Sequence, residues 1–267
     1  MRLIALEYHD VLAGDDFAAS GFTEPGADSY KLSAASFEAH LDAVAACAAR
    51  TGLAVGQALR SAADGHAGRP AVVLTFDDGG CSAISEIAPR LESRGWHGLF
   101  FMTTGRIGTP GFLSGAELRE LHGRGHVIGS HSHSHPIRMS ACPADSLRAE
   151  WADSIGLLSD VLGSAVAIAS VPGGYFSRTV AETAARAGIR TLFTSEPSSR
   201  ATQVDGCTVL GRYTLRRDDP ASLAAALVDR SSRARVRQWS VWNAKKVLKR
   251  LGGTAYLRAR ARLLDAG

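Results

Sequence analysis

The chain of 267 residues is 45% hydrophobic and 21% charged, which supports one sizeable core, or two at most, and excludes wholesale disorder. No apolar run approaches the roughly 18 residues of a membrane span, and the N-terminus meets Glu7, His9 and Asp10 with no apolar signal core before them. The expectation is a soluble, cytoplasmic protein whose net charge of +4 is uneven: residues 229–267 hold eleven Arg or Lys and two Asp, which leaves the rest net acidic.

Residues 3–8 (LIALEY) read as a buried first strand ending at Tyr8, His9 and Asp10, and residues 11–30 as a loop. Phe37, Leu41, Val44 and Ala45 have the spacing of an amphipathic helix over 33–48, capped by Ser33 or Ser36. Residues 61–70 read as a turn or linker. AVVLTFDDGG (71–80) is the clearest strand and turn, followed by a helix over 82–94 and a strand over 98–104. Residues 114–124 are predicted helical, with Ser114 and Glu117 placed as a capping box. Residues 126–135 read as a strand running into histidines, 145–162 as a helix, and 165–177 as a strand and turn. A helix over 177–187, a strand over 191–197 and a helix over 220–228 complete the pattern.

Alternating strands and helices with short connections signal a parallel α/β fold. No glycine-rich nucleotide fingerprint follows the first strand. The expected architecture is a distorted or incomplete (β/α) barrel over 1–228, with a basic helical C-terminal extension over 229–267. The four cysteines form no CxxC pair, so they read as plain thiols.

Strand alternation is expected to put Asp77 and Asp78 on opposite faces at the C-terminal end of a strand, where barrels carry catalytic groups. His131, His133 and His135 follow another strand segment. His131 and His135 are four apart, a spacing at which one turn brings both rings to one side. Pro136 disfavours helix at His135, so a single turn or loop is expected. Two histidines and a carboxylate make a three-ligand metal site with an open position. The two aspartates supply one ligand and one spare carboxylate to accept a proton. The reaction class is metal-assisted hydrolysis of a carbonyl or phosphoryl centre.

TFDDG (75–79) followed by HSHSH (131–135), with YHDV near the start and FLSGAELRELHGRGHVIGSHSHSHP across 112–136, resembles the polysaccharide deacetylases, the NodB-homology or carbohydrate esterase family 4 group. The resemblance implies that Asp77 is the general base and that Asp78, His131 and His135 hold a divalent metal. That metal is most often Zn2+, with Co2+, Mn2+ or Ni2+ as alternatives. It implies a bracing role for the Ser132 hydroxyl. It places Pro172 and Gly173 at the motif whose backbone N–H serves the oxyanion, with Tyr175 beside the sugar. The implied substrate is an N-acetylated sugar of a glycan, and acetate is the product.

The chain departs from the family pattern in three places. Ser170 stands where an arginine usually opens the third motif, Glu196 is the one trace of the fourth, and no histidine follows His135. Arg212 in LGRYTLRRDD can replace the missing arginine in space and is grouped with the substrate-side positions. An arginine is a poor proton donor near neutral pH. His9, ending the first strand, is therefore the first candidate for general acid, and His133 the second. The alternative is a catalytically inactive member of the fold that binds a glycan or partners a glycosyltransferase.

In the tail, Trp239, Trp242, Val247, Leu248 and Leu251 interleave with Lys245, Lys246, Lys249 and Arg250. One reading is a helix pair closing the barrel. The other is an interfacial helix at the anionic inner leaflet, near lipid-linked sugars. Nucleic acid is not expected, because the body of the chain is net acidic.

Overall fold

A strand buried on both faces reads as a continuous apolar run, and AVVLTF does so from Ala71 to Phe76. The computed structural model describes residues 3–246 apart from 15, 25, 52, 56–70, 232 and 245. The linker reading of 61–70 lies outside the described residues, as do Lys245, Val247, Leu248, Lys249, Arg250 and Leu251. In chain order the strands begin with β1 (Leu3–Tyr8), β2 (Val11–Leu12), β3 (Leu32–Ser33), β4 (Ala54–Val55), β5 (Ala71–Phe76) and β6 (Leu99–Met102). They continue with β7 (Val127–Ser130), β8 (Ile168–Ser170), β9 (Thr191–Phe193), β10 (Thr202–Val204), β11 (Cys207–Leu210) and β12 (Tyr213–Thr214).

The main sheet runs β10-β11-β9-β8-β7-β6-β5-β1-β12, with β4 beside the first half of β5. Its pairings are parallel except β10 with β11. Among the described residues its two ends do not pair, so the sheet is a curled half-barrel, the incomplete (β/α) barrel that alternation implies. Strands β10 to β12 were not legible in the sequence. They are two to four residues long, shorter than the window in which a period of two shows itself.

The helices are α1 (Ala34–Thr51), α2 (Ala88–Glu92), α3 (Gly115–Gly123), α4 (Ala144–Leu162), α5 (Arg178–Arg186) and α6 (Ala221–Val228). Ser33 accepts from the Ser36 N–H at 3.1 Å, and Ser114 with Glu117 forms the reciprocal capping box. The helix expected over 82–94 opens as a π-turn, Ala83–Ile87, before α2.

Period-two alternation decides what faces inward. On β1, Ile4, Leu6 and Tyr8 join the outer core under the helices, while Leu3 and Ala5 point into the barrel. There they meet Val73, Leu99, Phe101, Ile168, Phe193 and Leu210. The next inward positions up several of these strands are Glu7, Thr75, Ser170 and Arg212, all buried. The barrel interior is therefore apolar below and charged at the C-terminal rim.

Residues 233–244 are helical and pack back on this body. The Arg235 guanidinium donates to the Leu227 and Asp229 carbonyls, Gln238 donates to the Thr214 carbonyl at 2.8 Å, and the Trp242 ring lies against Gly174. Val236, Trp239 and Val241 stay exposed on the same helix. No helix among the described residues is long and apolar enough to cross a membrane.

Gly129 on β7 leaves room for the barrel interior: a Cβ there would lie 2.7 Å from Phe101 Cδ1 and 2.9 Å from the Ile168 carbonyl. Gly129→Ala is expected to lower stability by about 1–3 kcal/mol through overpacking. Urea denaturation reads this directly, and an unchanged midpoint would show that β7 and β8 can move apart freely.

Candidate active site

Asp77 continues the β5 register: its N–H donates to the Tyr8 carbonyl at 3.1 Å. Asp78 does not. Its φ is +77° and that of Gly79 is +87°, so the chain turns through the left-handed region just after the strand. This corrects the expectation from alternation. The carboxylates do not diverge to opposite faces but converge: Asp77 Oδ2 lies 3.8 Å and Asp78 Oδ1 3.5 Å from the same atom, His131 Nε2. A left-handed non-glycine residue costs roughly 1–2 kcal/mol, so the surroundings must hold it. The Thr103 N–H donates to the Asp78 carbonyl at 3.2 Å and the Leu113 N–H to the Gly79 carbonyl at 3.0 Å.

The histidine loop is built in the same way. Ser132 and His135 have φ values of +66° and +57°, so the segment is a non-helical turn. The Ser132 hydroxyl accepts the His135 N–H at 3.1 Å. From α4, Glu150 accepts the N–H groups of His133 and Ser134 at 2.9 and 2.8 Å and the Ser134 hydroxyl at 2.5 Å. The His131 and His135 rings come within 5.2 Å, and His135 Nε2 lies 3.6 Å from Asp78 Oδ1. His133 turns away to Thr104 Oγ1 at 3.0 Å, so the structure separates this candidate acid from the other two histidines.

The donor set Asp78, His131 and His135 fits a divalent cation. Its separations of 3.5 and 3.6 Å approach the edge of about 3.3 Å in a tetrahedron with bonds near 2.05 Å. Burial pushes His131 down to about 3 and lowers His135, so both imidazoles are neutral and able to donate a lone pair. Burial, with Asp77, Asp10 and Glu7 close by and His9 opposing, raises Asp78 to about 7. Glu7, His9 and Asp77 also bring donor atoms within 4.8 Å of one another, but there the chain supplies its own cation.

That cation is Arg212. Its side chain is fully buried; its two terminal nitrogens each reach an Asp77 oxygen at 2.7 Å, and Nη2 also reaches Glu7 Oε1 at 3.2 Å. Beneath it, the Phe101 ring centroid lies 5.5 Å from the guanidinium carbon. Burial alone would raise the Asp77 pKa, but the Arg212 guanidinium and His131 hold it well below the usual carboxylate range. Arg212 was grouped with the substrate-side positions, and the structure corrects this: it is enclosed behind Asp77.

Ser170 donates to Asp77 Oδ1 at 3.2 Å and lies 2.5 Å from His131 Nδ1. With its one proton on Asp77, the hydroxyl accepts from Nδ1–H. That choice of tautomer leaves the His131 Nε2 lone pair facing Asp78.

His9 joins this group with a donor nitrogen near Asp77 and Glu7, its ring 4.6 Å from that of Tyr30, and its buried Nδ1 without a hydrogen-bond partner. Pro172 and Gly173 begin the turn two residues after Ser170, with Gly173 at φ +61°. Pro172 is buried and has no N–H, so any oxyanion donor there is Gly173. The Tyr175 ring lies under the Arg138 guanidinium at 5.4 Å. The Glu196 carbonyl accepts the Arg212 N–H at 3.1 Å and its carboxylate meets Lys246 at 2.6 Å, which places it behind the buried network. Sequence reasoning missed Glu7 and Glu150. Glu7 left one signal, a lone charge in an otherwise apolar strand; Glu150 left none, as one of several polar residues on a helix.

Residues 64–192 match the family model described as polysaccharide deacetylase. A curated Bacillus subtilis protein of the same family designation, YxkH, is 27% identical over 128 residues. Those residues are 48% of this chain and 46% of the relative, so the match spans less than half of either. Among solved structures, the Streptococcus pyogenes deacetylase PplD in complex with acetate superposes with a TM-score of 0.67 at 18% identity, covering 83% of this chain and 96% of that one. IcaB from Ammonifex degensii gives 0.65 at 22% identity over 85% and 96%. A polysaccharide deacetylase from Bacillus cereus gives 0.69 at 18% identity over 86% and 69%. At these identities the structural likeness is one of fold.

Arg212→Ala would leave Asp77 and Glu7 buried without their counter-ion. The expected cost is about 3–5 kcal/mol, with Arg212→Lys recovering only part of it because an ammonium cannot make the two-pronged contact. Chemical denaturation measures both variants, and a loss below about 1 kcal/mol for the alanine variant would mean that the pair contributes no net stability.

Proposed function

Through residues 64–192 this chain belongs to the polysaccharide deacetylase family, and from that premise we propose that it removes N-acetyl groups from a sugar of a polysaccharide or glycan precursor. One observation carries this reading. A spare carboxylate, Asp77, stands 3.8 Å from a nitrogen of a metal-ligand set that it does not itself belong to. A carboxylate free to act as base beside a set of side chains able to hold a metal supports catalysis over a glycan-binding role alone.

Asp78, His131 and His135 would hold the cation, with Zn2+ the ion that two imidazoles and one carboxylate suit. Bound there, it supplies Lewis acidity toward the acetyl carbonyl and a water molecule. Asp77 takes a proton from the attacking water as the water oxygen bonds to the acetyl carbon. The C–N bond then breaks, acetate leaves, and the sugar nitrogen takes up a proton. His9 is placed to give that proton, being on the same rim as Asp77 with a ring that no hydrogen bond at Nδ1 commits elsewhere. The Gly173 N–H serves the developing oxyanion and Tyr175 borders the sugar. The implied partners are an N-acetylated glycan or a lipid-linked sugar.

The deciding experiment is acetate release from N-acetylglucosamine oligomers and lipid-linked N-acetyl sugars by zinc-loaded protein. Asp77→Asn is expected to lower turnover by about 10²–10⁴-fold while zinc stays bound. Turnover near wild type would remove Asp77 as the base. Absence of release across the panel by zinc-loaded wild type would overturn the deacetylase reading.

Zinc at about 100 times its Kd is expected to stabilise the metal-free protein by about 2.7 kcal/mol, a Tm rise on the order of 5–10 °C. Asp78→Asn should abolish the rise, and persistence of the full shift in that variant would place the metal elsewhere. Cytoplasmic location with peripheral contact at an anionic leaflet through the basic tail is a separate proposal. Sedimentation with anionic liposomes, with and without residues 247–267, tests the contact; equal partitioning of both forms would reject it.

A further inference from the structure

Glu7 is the one charged residue of β1, and its side chain points into a barrel interior whose lower positions on the same face are Leu3 and Ala5. An ionised carboxylate buried there is costly unless every oxygen is engaged. Glu7 meets that demand in full. Oε1 accepts from Arg212 Nη2 at 3.2 Å and from Ser195 Oγ at 2.8 Å, and Oε2 accepts from Thr214 Oγ1 at 2.6 Å. Three donors from different parts of the chain therefore fix its orientation.

Glu7 reaches Arg212 at a second contact, beside the fork that holds Asp77. Nη1 and Nη2 each bond one Asp77 oxygen, Nη2 also bonds Glu7 Oε1, and Nε faces the Thr194 carbonyl at 3.4 Å. A guanidinium tied to Asp77 alone is free to swing with that carboxylate. Held at these further contacts, it becomes a fixed fork whose plane sets the plane of Asp77. A carboxylate that must meet an attacking water within about 3 Å depends on this kind of alignment.

We propose that Glu7 is a positioning residue for the hydrolysis: it orients Arg212, and through Arg212 the carboxylate of Asp77. It does not touch the substrate. The proposal rests on the assignment of Asp77 as base made above, and nothing in the matched segment 64–192 contains Glu7 or Arg212.

The test is Glu7→Gln, which keeps the shape and removes the charge. The expected result is a fall in kcat of about 10–100-fold, with KM and zinc affinity each within about twofold of wild type. Leu3→Val, one layer below, controls for a general loss of stability and should keep kcat. A second readout needs no turnover: ¹⁵N NMR of the Arg212 guanidinium. Wild type should show separate Nη signals from slow rotation, which merge in Glu7→Gln. Unchanged kcat together with separate Nη signals in the variant would overturn the proposal. Should Glu7→Gln fail to fold, Ser195→Ala and Thr214→Val each release one of the donors that fix Glu7. Each should lower kcat several-fold, and wild-type kcat in both would overturn the proposal. If wild type releases no acetate, the deacetylase reading fails, while the NMR comparison still decides whether Glu7 orients Arg212.

Discussion

The two-pronged ion pair between Arg212 and Asp77 is the contact on which the charged rim of the half-barrel depends. Strands β1, β5, β6, β8, β9 and β11 feed apolar side chains into the lower interior, yet the upper end gathers Glu7, Asp77 and Asp78. Three carboxylates cannot share a water-poor space without cations. Arg212 provides one from within the chain and divides it between Glu7 and Asp77. It leaves Asp78 with two neutral imidazoles and no cation of its own. When all four charged groups are ionised, the excess is two negative charges, which a single divalent ion balances. Asp77 and Asp78 are neighbours in sequence, and the difference in their roles follows from which cation each can reach.

Holding these groups in place requires backbone conformations that are unfavourable by themselves. Asp78, Ser132 and His135 all sit in the left-handed region, and each belongs to the ligand set or its loop. The supports are correspondingly dense. Glu150 gathers two N–H groups and a hydroxyl of the histidine loop. Asp10, buried beside the Asp78 turn, accepts the Ser20 and Ser82 hydroxyls, and Gly80 packs directly on its carboxylate. Ser170 performs two tasks with one hydroxyl, donating to Asp77 and accepting from His131. The positive charge beside Asp77 comes from Arg212, well away from Ser170 in the chain.

The helix over 233–244 extends the half-barrel body past the last strand. Trp242 covers Gly174 in the turn that carries Gly173, and Lys246 reaches Glu196, whose backbone holds Arg212. This stretch packs on the barrel, while Val236 and Trp239 face solvent. Of the two readings of the tail, the described part therefore shows a covering helix.

Alternation of strands and helices determined the fold class, because period-two and period-3.6 patterns survive in the sequence wherever an element is long enough to bury one face. It determined the two motif clusters as well: TFDDG and HSHSH are local, and local spacing is what a sequence displays. It could not determine that Asp77 and Asp78 converge, since a left-handed turn at Asp78 cancels the alternation that an extended strand imposes. Spacing set His131 and His135 apart from His133, but not where His133 goes, because Thr104 and Glu150, which fix that loop, lie on other elements. Tertiary structure alone decided that Glu7, from the first strand, and Asp77, from the end of the fifth, share one buried cation, Arg212, from between the eleventh and twelfth. The partnership of Glu7 and Arg212 has no local spacing; it comes from β1 pairing with both β12 and β5, a long-range closure that brings together residues 205 positions apart.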